Sequence, residues 1–158
     1  MAISVDPVKL DYLAQRPTAD RRDLPEIQRE TLLRRAEHLE RFDHALVVIS
    51  LRRKLTVREM GKLLGRNAGV IARRLISLRR RLTDPDVISL IHGGERLDPV
   101  DRDIGISVLL RKERIDVIAY RHRLSPAIVR RRMQFVRGWI KGQRDGAILA
   151  RQAMAKQL

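Results

Sequence analysis

The apolar positions of this chain recur in two stretches, 39–82 and 97–140, that superimpose without a gap at an offset of 58 residues. Leu46/Ile104, Val48/Ile106, Val57/Ile115, Met60/Ile118, Ile71/Val129, Leu75/Met133, Leu78/Val136 and Leu82/Ile140 stay in register. Strict identities are fewer: Leu39/Leu97, Asp43/Asp101, Leu51/Leu109, Arg53/Arg111, Lys54/Lys112, Arg73/Arg131, Arg74/Arg132 and Arg79/Arg137. Folding constrains hydrophobic spacing more tightly than identity, so the pattern predicts two copies of one small helical unit.

Residues 1–22 carry Pro7, Pro17 and mixed charge with no apolar period, which reads as a loosely held N-terminal arm. Order is expected from Asp23. Asp23 and Glu26 have capping-box spacing, and Pro25 suits a first helical turn, where its missing N–H is no loss. From there to Arg53 the chain has neither Gly nor Pro, and Leu32, Leu39, Phe42, Leu46 and Ile49 keep a three-four spacing. The N-terminal helix therefore either continues into the first helix of repeat one or breaks near Phe42.

Within repeat one, Thr56-Val57-Arg58-Glu59 is a capping box opening a short helix that carries Met60, Leu63 and Leu64. Gly65 suits the positive φ that ends such a helix. Asn67 is a good N-cap for a third helix along Val70, Ile71, Leu75, Leu78 and Leu82. Short helix, tight turn at Gly, longer helix is the order of a helix-turn-helix, and the small Gly61 allows the two helices to cross closely.

Asp84-Pro85 starts and Gly93-Gly94 stops a helix of about two turns, a short acidic connector by composition. Repeat two opens at Asp98-Pro99-Val100-Asp101 with a cap, an N1 proline and an acid that suits the helix dipole. Its second helix holds Ile115, Ile118 and Ala119, and Ser125-Pro126 starts a third through Ile128, Val129, Met133 and Val136 towards Trp139. His122 and Arg123 stand where repeat one has Leu64 and Gly65. A left-handed Arg costs on the order of 1 kcal/mol, so a differently shaped turn is expected there. After Gly142, residues 147–158 form either a terminal helix or a frayed tail. The expected organisation is an arm (1–22), a first unit (23–83), a helical connector (84–96), a second unit (97–141) and a tail (142–158), with an all-α fold throughout.

Charge gives these units a direction. The formal net charge is +15, made of zero over 1–42, +9 over 43–82, −3 over 83–99 and +9 over 100–158. Positive charge thus concentrates on the repeats, which favours a polyanionic partner. Only five aromatics occur (Tyr12, Phe42, Tyr120, Phe135, Trp139), few for a protein that stacks single-stranded bases. Double-stranded DNA becomes the expected polyanion. The chain has no cysteine, and its apolar runs are short and interrupted by charge. Neither disulfides, a signal segment nor a membrane span is expected, and the cytoplasm, on the nucleoid, is the expected location.

Met60-Gly61-Lys62-Leu63-Leu64-Gly65, Gly69-Val70-Ile71-Ala72-Arg73-Arg74-Leu75 and Arg79-Arg80-Arg81-Leu82 together resemble the region-4 helix-turn-helix of sigma-70 family factors, particularly the extracytoplasmic-function type. Leu97-Asp98-Pro99 through Ile118-Ala119, then Leu124-Ser125-Pro126 and Val129-Arg130-Arg131-Arg132-Met133, resemble the same module. The resemblance covers about 90 of 158 residues, and other regulators share the pattern. It implies promoter DNA as ligand, transcription as setting, and RNA polymerase as a second partner. The aromatic cluster with which a complete sigma factor opens DNA has no counterpart in residues 1–40, so this chain is not expected to initiate transcription alone.

In a helix-turn-helix the third helix lies in the major groove, with exposed N-terminal positions on base edges and flanking cations on phosphates. Ser125, Arg130 and Arg131 in repeat two, and Asn67 and Arg73 in repeat one, are the expected base readers. Arg66, Arg74, Arg79, Arg80, Arg132 and Arg137 are the expected phosphate contacts. Repeat one offers fewer hydrogen-bonding groups and should read sequence more weakly. No metal, cofactor or catalytic constellation is expected: the four histidines are dispersed, His92-Gly93-Gly94 lacks a nucleophile, and no phosphate-loop motif follows Gly61 or Gly65. The leading expectation is a non-enzymatic, sequence-selective transcription regulator. Its rivals are an interaction protein in which one repeat binds polymerase or a partner helix, and a nucleoid protein of low sequence preference.

Overall fold

A computed structural model describes residues 25–53 and 55–155, and every regular element among them is a helix. The protein is all-α. The arm over 1–22 and the cap expected at Asp23 lie outside the described residues. The chain divides into two compact units between Arg80 and Arg81.

The first unit holds α1 (Glu26–Ala36), α2 (Arg41–Arg52), α3 (Val57–Leu64) and most of α4 (Ala68–Leu82). The N-terminal helix does not run on into repeat one: the chain breaks after Ala36 and resumes helix at Arg41. Pro25 is the N-cap, not the first helical residue, and its carbonyl accepts from Gln28 N–H (2.9 Å) and Arg29 N–H (3.1 Å). Leu32, Leu33 and Ala36 of α1 are buried, as are Leu46 and Val47 of α2, Met60 of α3 and Ile71, Leu75 and Leu78 of α4. The three-four spacing of each helix puts these side chains on one face.

Helix α3 starts as its sequence dictates. Thr56 Oγ1 accepts from Glu59 N–H (3.3 Å), and Glu59 returns a carboxylate to Thr56 N–H (2.6 Å). It stops at Gly65 in the left-handed region (φ 60°, ψ 33°), where a residue without Cβ carries no steric penalty. A Cβ built on Gly61 would lie 2.7 Å from the Arg66 carbonyl oxygen and 3.4 Å from Ala68 Cα. The turn backbone therefore passes directly over Gly61.

The second unit holds α5 (Pro85–Gly93), a 3₁₀ turn (Gly94–Arg96), α6 (Pro99–Ile106), a π-helical turn (Ser107–Arg111), α7 (Ile115–His122) and α8 (Pro126–Ala155). Asp84 and Asp98 cap α5 and α6 through Asp86 N–H (2.8 Å) and Val100 N–H (2.9 Å). The expected connector is part of the core. Val87 and Leu90 of α5 are buried, Gly93 lies against the Trp139 ring, and Asp86 pairs with Arg144 at 2.7 Å. The expected tail is likewise no separate segment, since α8 continues unbroken to Ala155.

The repeat is therefore larger than its sequence signal. Adding 58 to α1 gives 84–94, the position of α5, so each copy is four helices and not three. Leu32/Leu90 and Ala36/Gly94 are buried in both copies. The turn of repeat two also keeps its shape. Arg123 adopts φ 54° and ψ 40°, and Leu124 N–H reaches the Ala119 carbonyl at 2.9 Å, as Arg66 N–H reaches Gly61 at 2.9 Å. Two satisfied helix-end carbonyls offset the left-handed penalty on Arg123, so no reshaped turn is needed.

Candidate nucleic-acid interface

Helix α8 is buried along one stripe and charged along the opposite one. Val129, Met133, Val136 and Ile140 face the core of the second unit. At 3.6 residues per turn, Ala127, Arg131, Gln134, Phe135, Gly138 and Lys141 fall on the far side and Arg130 and Arg137 flank it, and all are exposed. Arg130, Arg131, Arg137 and Lys141 form no ion pair among the described residues, leaving four cations along about three turns of the exposed helix surface. Ser125 caps the helix, its Oγ accepting from Ile128 N–H at 3.3 Å.

The corresponding face of α4 has Gly69, Ala72, Arg73, Ile76, Arg79 and Arg80. Arg73 and Arg80 are exposed and Arg79 is half-buried. Asn67 Oδ1 caps this helix through Gly69 N–H (2.8 Å), and the exposed Arg66 lies in the turn before it. Asn67 and Ser125, expected as readers, thus spend a side-chain oxygen on capping. Where α8 has Arg130 and Gln134, α4 has Ala72 and Ile76, the latter 65% exposed. The first unit also exposes Leu63 and Val70, and the second exposes Val117, Tyr120 and Phe135, so the two copies differ in the polarity of this helix face and not in exposed apolar area as a whole.

Two expected phosphate contacts are held by protein. Arg74 Nε donates to Asp43 Oδ1 at 2.5 Å and its guanidinium lies 5.4 Å from the Phe42 ring centroid. The hydrogen bond that Arg74 donates to Asp43 is the main cause holding Arg74 above its ordinary pKa, against a lowering by burial. In the second unit Arg132 Nη1 donates to Asp101 Oδ1 at 2.8 Å. Both aspartates are buried, and a buried carboxylate requires a partner. Arg74 and Arg132, expected as phosphate contacts, therefore tie the fourth helix of each unit to the second through an internal ion pair. The signal was legible: Asp and Arg recur 31 residues apart in both repeats, and all four are among the strict identities.

A polar network lies beneath the turn of the second unit. His122 Nε2 and Asp103 Oδ2 are 2.8 Å apart, Arg121 and Arg111 approach Asp103 at 3.6 and 3.4 Å, and Arg121 also pairs with Glu113. The fully buried Ser107 Oγ accepts from Arg121 at 3.2 Å. Burial and hydrogen bonding both act on Arg121, and the hydrogen bond and charge of Glu113, helped by Asp103, leave its pKa raised. At the positions matching Asp103, Ser107, Glu113, Arg121 and His122 repeat one has Ala45, Ile49, Leu55, Leu63 and Leu64, and only Arg111 keeps its charge there, as Arg53. The network thus occupies, with charge, a place that the other copy fills with apolar side chains. Sequence reasoning missed it because its members look unrelated until the π turn brings them together.

Compared with protein-family models, curated proteins and solved structures, the chain matches none.

Proposed function

We propose that the chain is a non-enzymatic, sequence-selective protein of double-stranded DNA, acting in transcription, whose second unit presents α8 to the major groove as the recognition helix of a helix-turn-helix. The observation that carries this reading is the exposed surface of α8 bearing Arg130, Arg131, Gln134, Arg137 and Lys141, outside its buried stripe and just after a left-handed turn. A major groove about 12 Å wide admits one α-helix, and guanidinium and amide groups match the donors and acceptors of base edges. Arg130 and Arg131 read bases in this scheme, while Arg137 and Lys141 hold phosphates. The resemblance to sigma region 4 supplies transcription as the setting.

The first unit has the same helix order with a poorer reading face. It contributes phosphate contacts through Arg66, Arg79 and Arg80, with Arg73 the one arginine placed for a base. Its exposed Leu63, Val70 and Ile76 favour a second reading, in which this unit binds a protein partner such as RNA polymerase while the second unit binds DNA. Selection of bound duplexes from a random pool tests the main reading. An enriched motif containing guanine is expected from the full chain. A nucleoid protein of low preference would enrich none.

A further inference from the structure

Ala127, Arg130, Arg131 and Gln134 stand at i, i+3, i+4 and i+7 on the exposed face of α8. That is the spacing by which a helix seated in the major groove presents side chains to base edges. Gln134 is exposed, and its amide makes no hydrogen bond among the described residues. One turn further on, a Cβ placed at Gly138 would meet nothing within 4 Å, so that side of the Gln134 amide is open. At the matching position of α4 stands Ile76, which can neither donate nor accept.

An amide that donates and accepts in one plane matches adenine, whose N6 amino group and N7 lie side by side on the major-groove edge. Arginine matches guanine, with two acceptors there. Arg131 and Gln134 are separated by about 4.5 Å along the helix axis, against about 3.4 Å per base-pair step. Their bases are therefore one or two steps apart.

We propose that Gln134 is a specificity-determining residue that recognises adenine one or two base pairs from the guanine read by Arg130 or Arg131. This rests on the DNA-binding reading of α8 given above. A solvated helix face would also place a polar residue at 134, but it predicts no dependence of base preference on the amide.

The test compares motifs selected from a random duplex pool by the full-length wild-type chain and by Gln134→Ala, Gln134→Ile, Arg130→Ala and Arg131→Ala, with thermal unfolding as a check that each variant is folded. The wild type should enrich guanine with adenine one or two positions away. Gln134→Ala should lose the adenine preference alone, by about 5- to 150-fold in competition with the other bases, and keep the guanine. Gln134→Ile should also lose it and take on the apolar character of repeat one, with thymine gaining at that position. One arginine variant should lose the guanine and keep the adenine. An unchanged motif in folded Gln134→Ala, with guanine still dependent on arginine, overturns the role of Gln134 and leaves the DNA reading standing. Loss of every preference at once in Gln134→Ala overturns it too. Failure of the wild type to enrich any motif overturns the DNA reading itself, and this inference with it.

Discussion

Arg132 reaches across the second unit to Asp101 at 2.8 Å, thirty-one residues earlier, and the first unit repeats the pair as Arg74 with Asp43. The carboxylates sit near the start of α2 and α6 and are buried, while the guanidiniums remain partly exposed on α4 and α8. A buried carboxylate stripped of its partner bears its full desolvation cost, and a half-exposed guanidinium does not. Arg132→Ala should therefore destabilise the second unit by about 1–3 kcal/mol, whereas an Asp101→Asn/Arg132→Gln pair should recover much of that. Denaturant unfolding of both variants and a double-mutant cycle check it. Additive losses would mean that the two side chains do not act as a pair.

Arg123 sits at φ 54° in a turn where repeat one uses Gly65 at φ 60°. A Cβ in that region costs roughly 1–2 kcal/mol, partly offset by the greater unfolded-state entropy of glycine. Arg123→Gly should stabilise the second unit by about 0.5–1 kcal/mol, and Gly65→Arg should destabilise the first by about 1 kcal/mol. Thermal unfolding should move in opposite directions for the two exchanges. A fall in both would show that the Arg123 side chain contributes contacts that outweigh the strain.

Much of the helix order was legible because caps and stops act locally. Thr56 with Glu59, Asn67, Asp84, Asp98 and Ser125 each meet the backbone N–H that their spacing implies. What escaped sequence reasoning is set by packing between distant residues. The homology of α1 and α5 was hidden because few apolar positions carry it, chiefly Leu32/Leu90. Arg74 and Arg132 look like surface cations until the rotation of their helices points them at Asp43 and Asp101. Gln134 was overlooked because its place on the reading face follows from which stripe of α8 is buried.

Asp103 is the hub of the network under the second turn, with His122 at 2.8 Å and Arg111 and Arg121 at 3.4 and 3.6 Å. Removing its carboxylate leaves two guanidiniums and an imidazole facing one another beside Glu113. Asp103→Ala should cost about 1–3 kcal/mol. Importing the first repeat's solution as Asp103→Ala/His122→Leu should cost less than Asp103→Ala alone, because it removes one of the unpaired groups. Chemical unfolding of the two variants decides the matter. A double variant worse than the single one would show that His122 stabilises the turn independently of Asp103.

Gly61 has the turn backbone against it, with the Arg66 carbonyl 2.7 Å from where a Cβ would stand. Backbone yields less than a flexible side chain, so Gly61→Ala should destabilise the first unit by about 1–3 kcal/mol. The second unit carries Ala119 at the matching position, buried and accommodated, so Ala119→Gly should change little beyond a helix-propensity loss of about 1 kcal/mol. If Gly61→Ala is tolerated as well as Ala119 is, the close approach is not a constraint on the fold.

The cations assigned to phosphates set the salt dependence of DNA binding. Each phosphate neutralised contributes about −0.9 to the slope of log affinity against log salt. Engagement of Arg137 and Lys141 alone gives a slope of roughly −2, and adding Arg66, Arg79 and Arg80 of the first unit takes it to about −4.5. Titration of the full chain with a selected duplex at several salt concentrations separates the two cases. Arg137→Ala/Lys141→Ala should reduce the slope by about 2 and weaken selected and random duplexes alike, since phosphate contacts carry no sequence information. Arg79→Ala/Arg80→Ala should do the same only if the first unit also touches DNA. A wild-type slope near about −2 that the α4 variant leaves unchanged would assign DNA to the second unit alone and free the exposed Leu63, Val70 and Ile76 of the first for a protein partner. A slope near zero would remove the phosphate contacts on which the whole reading depends.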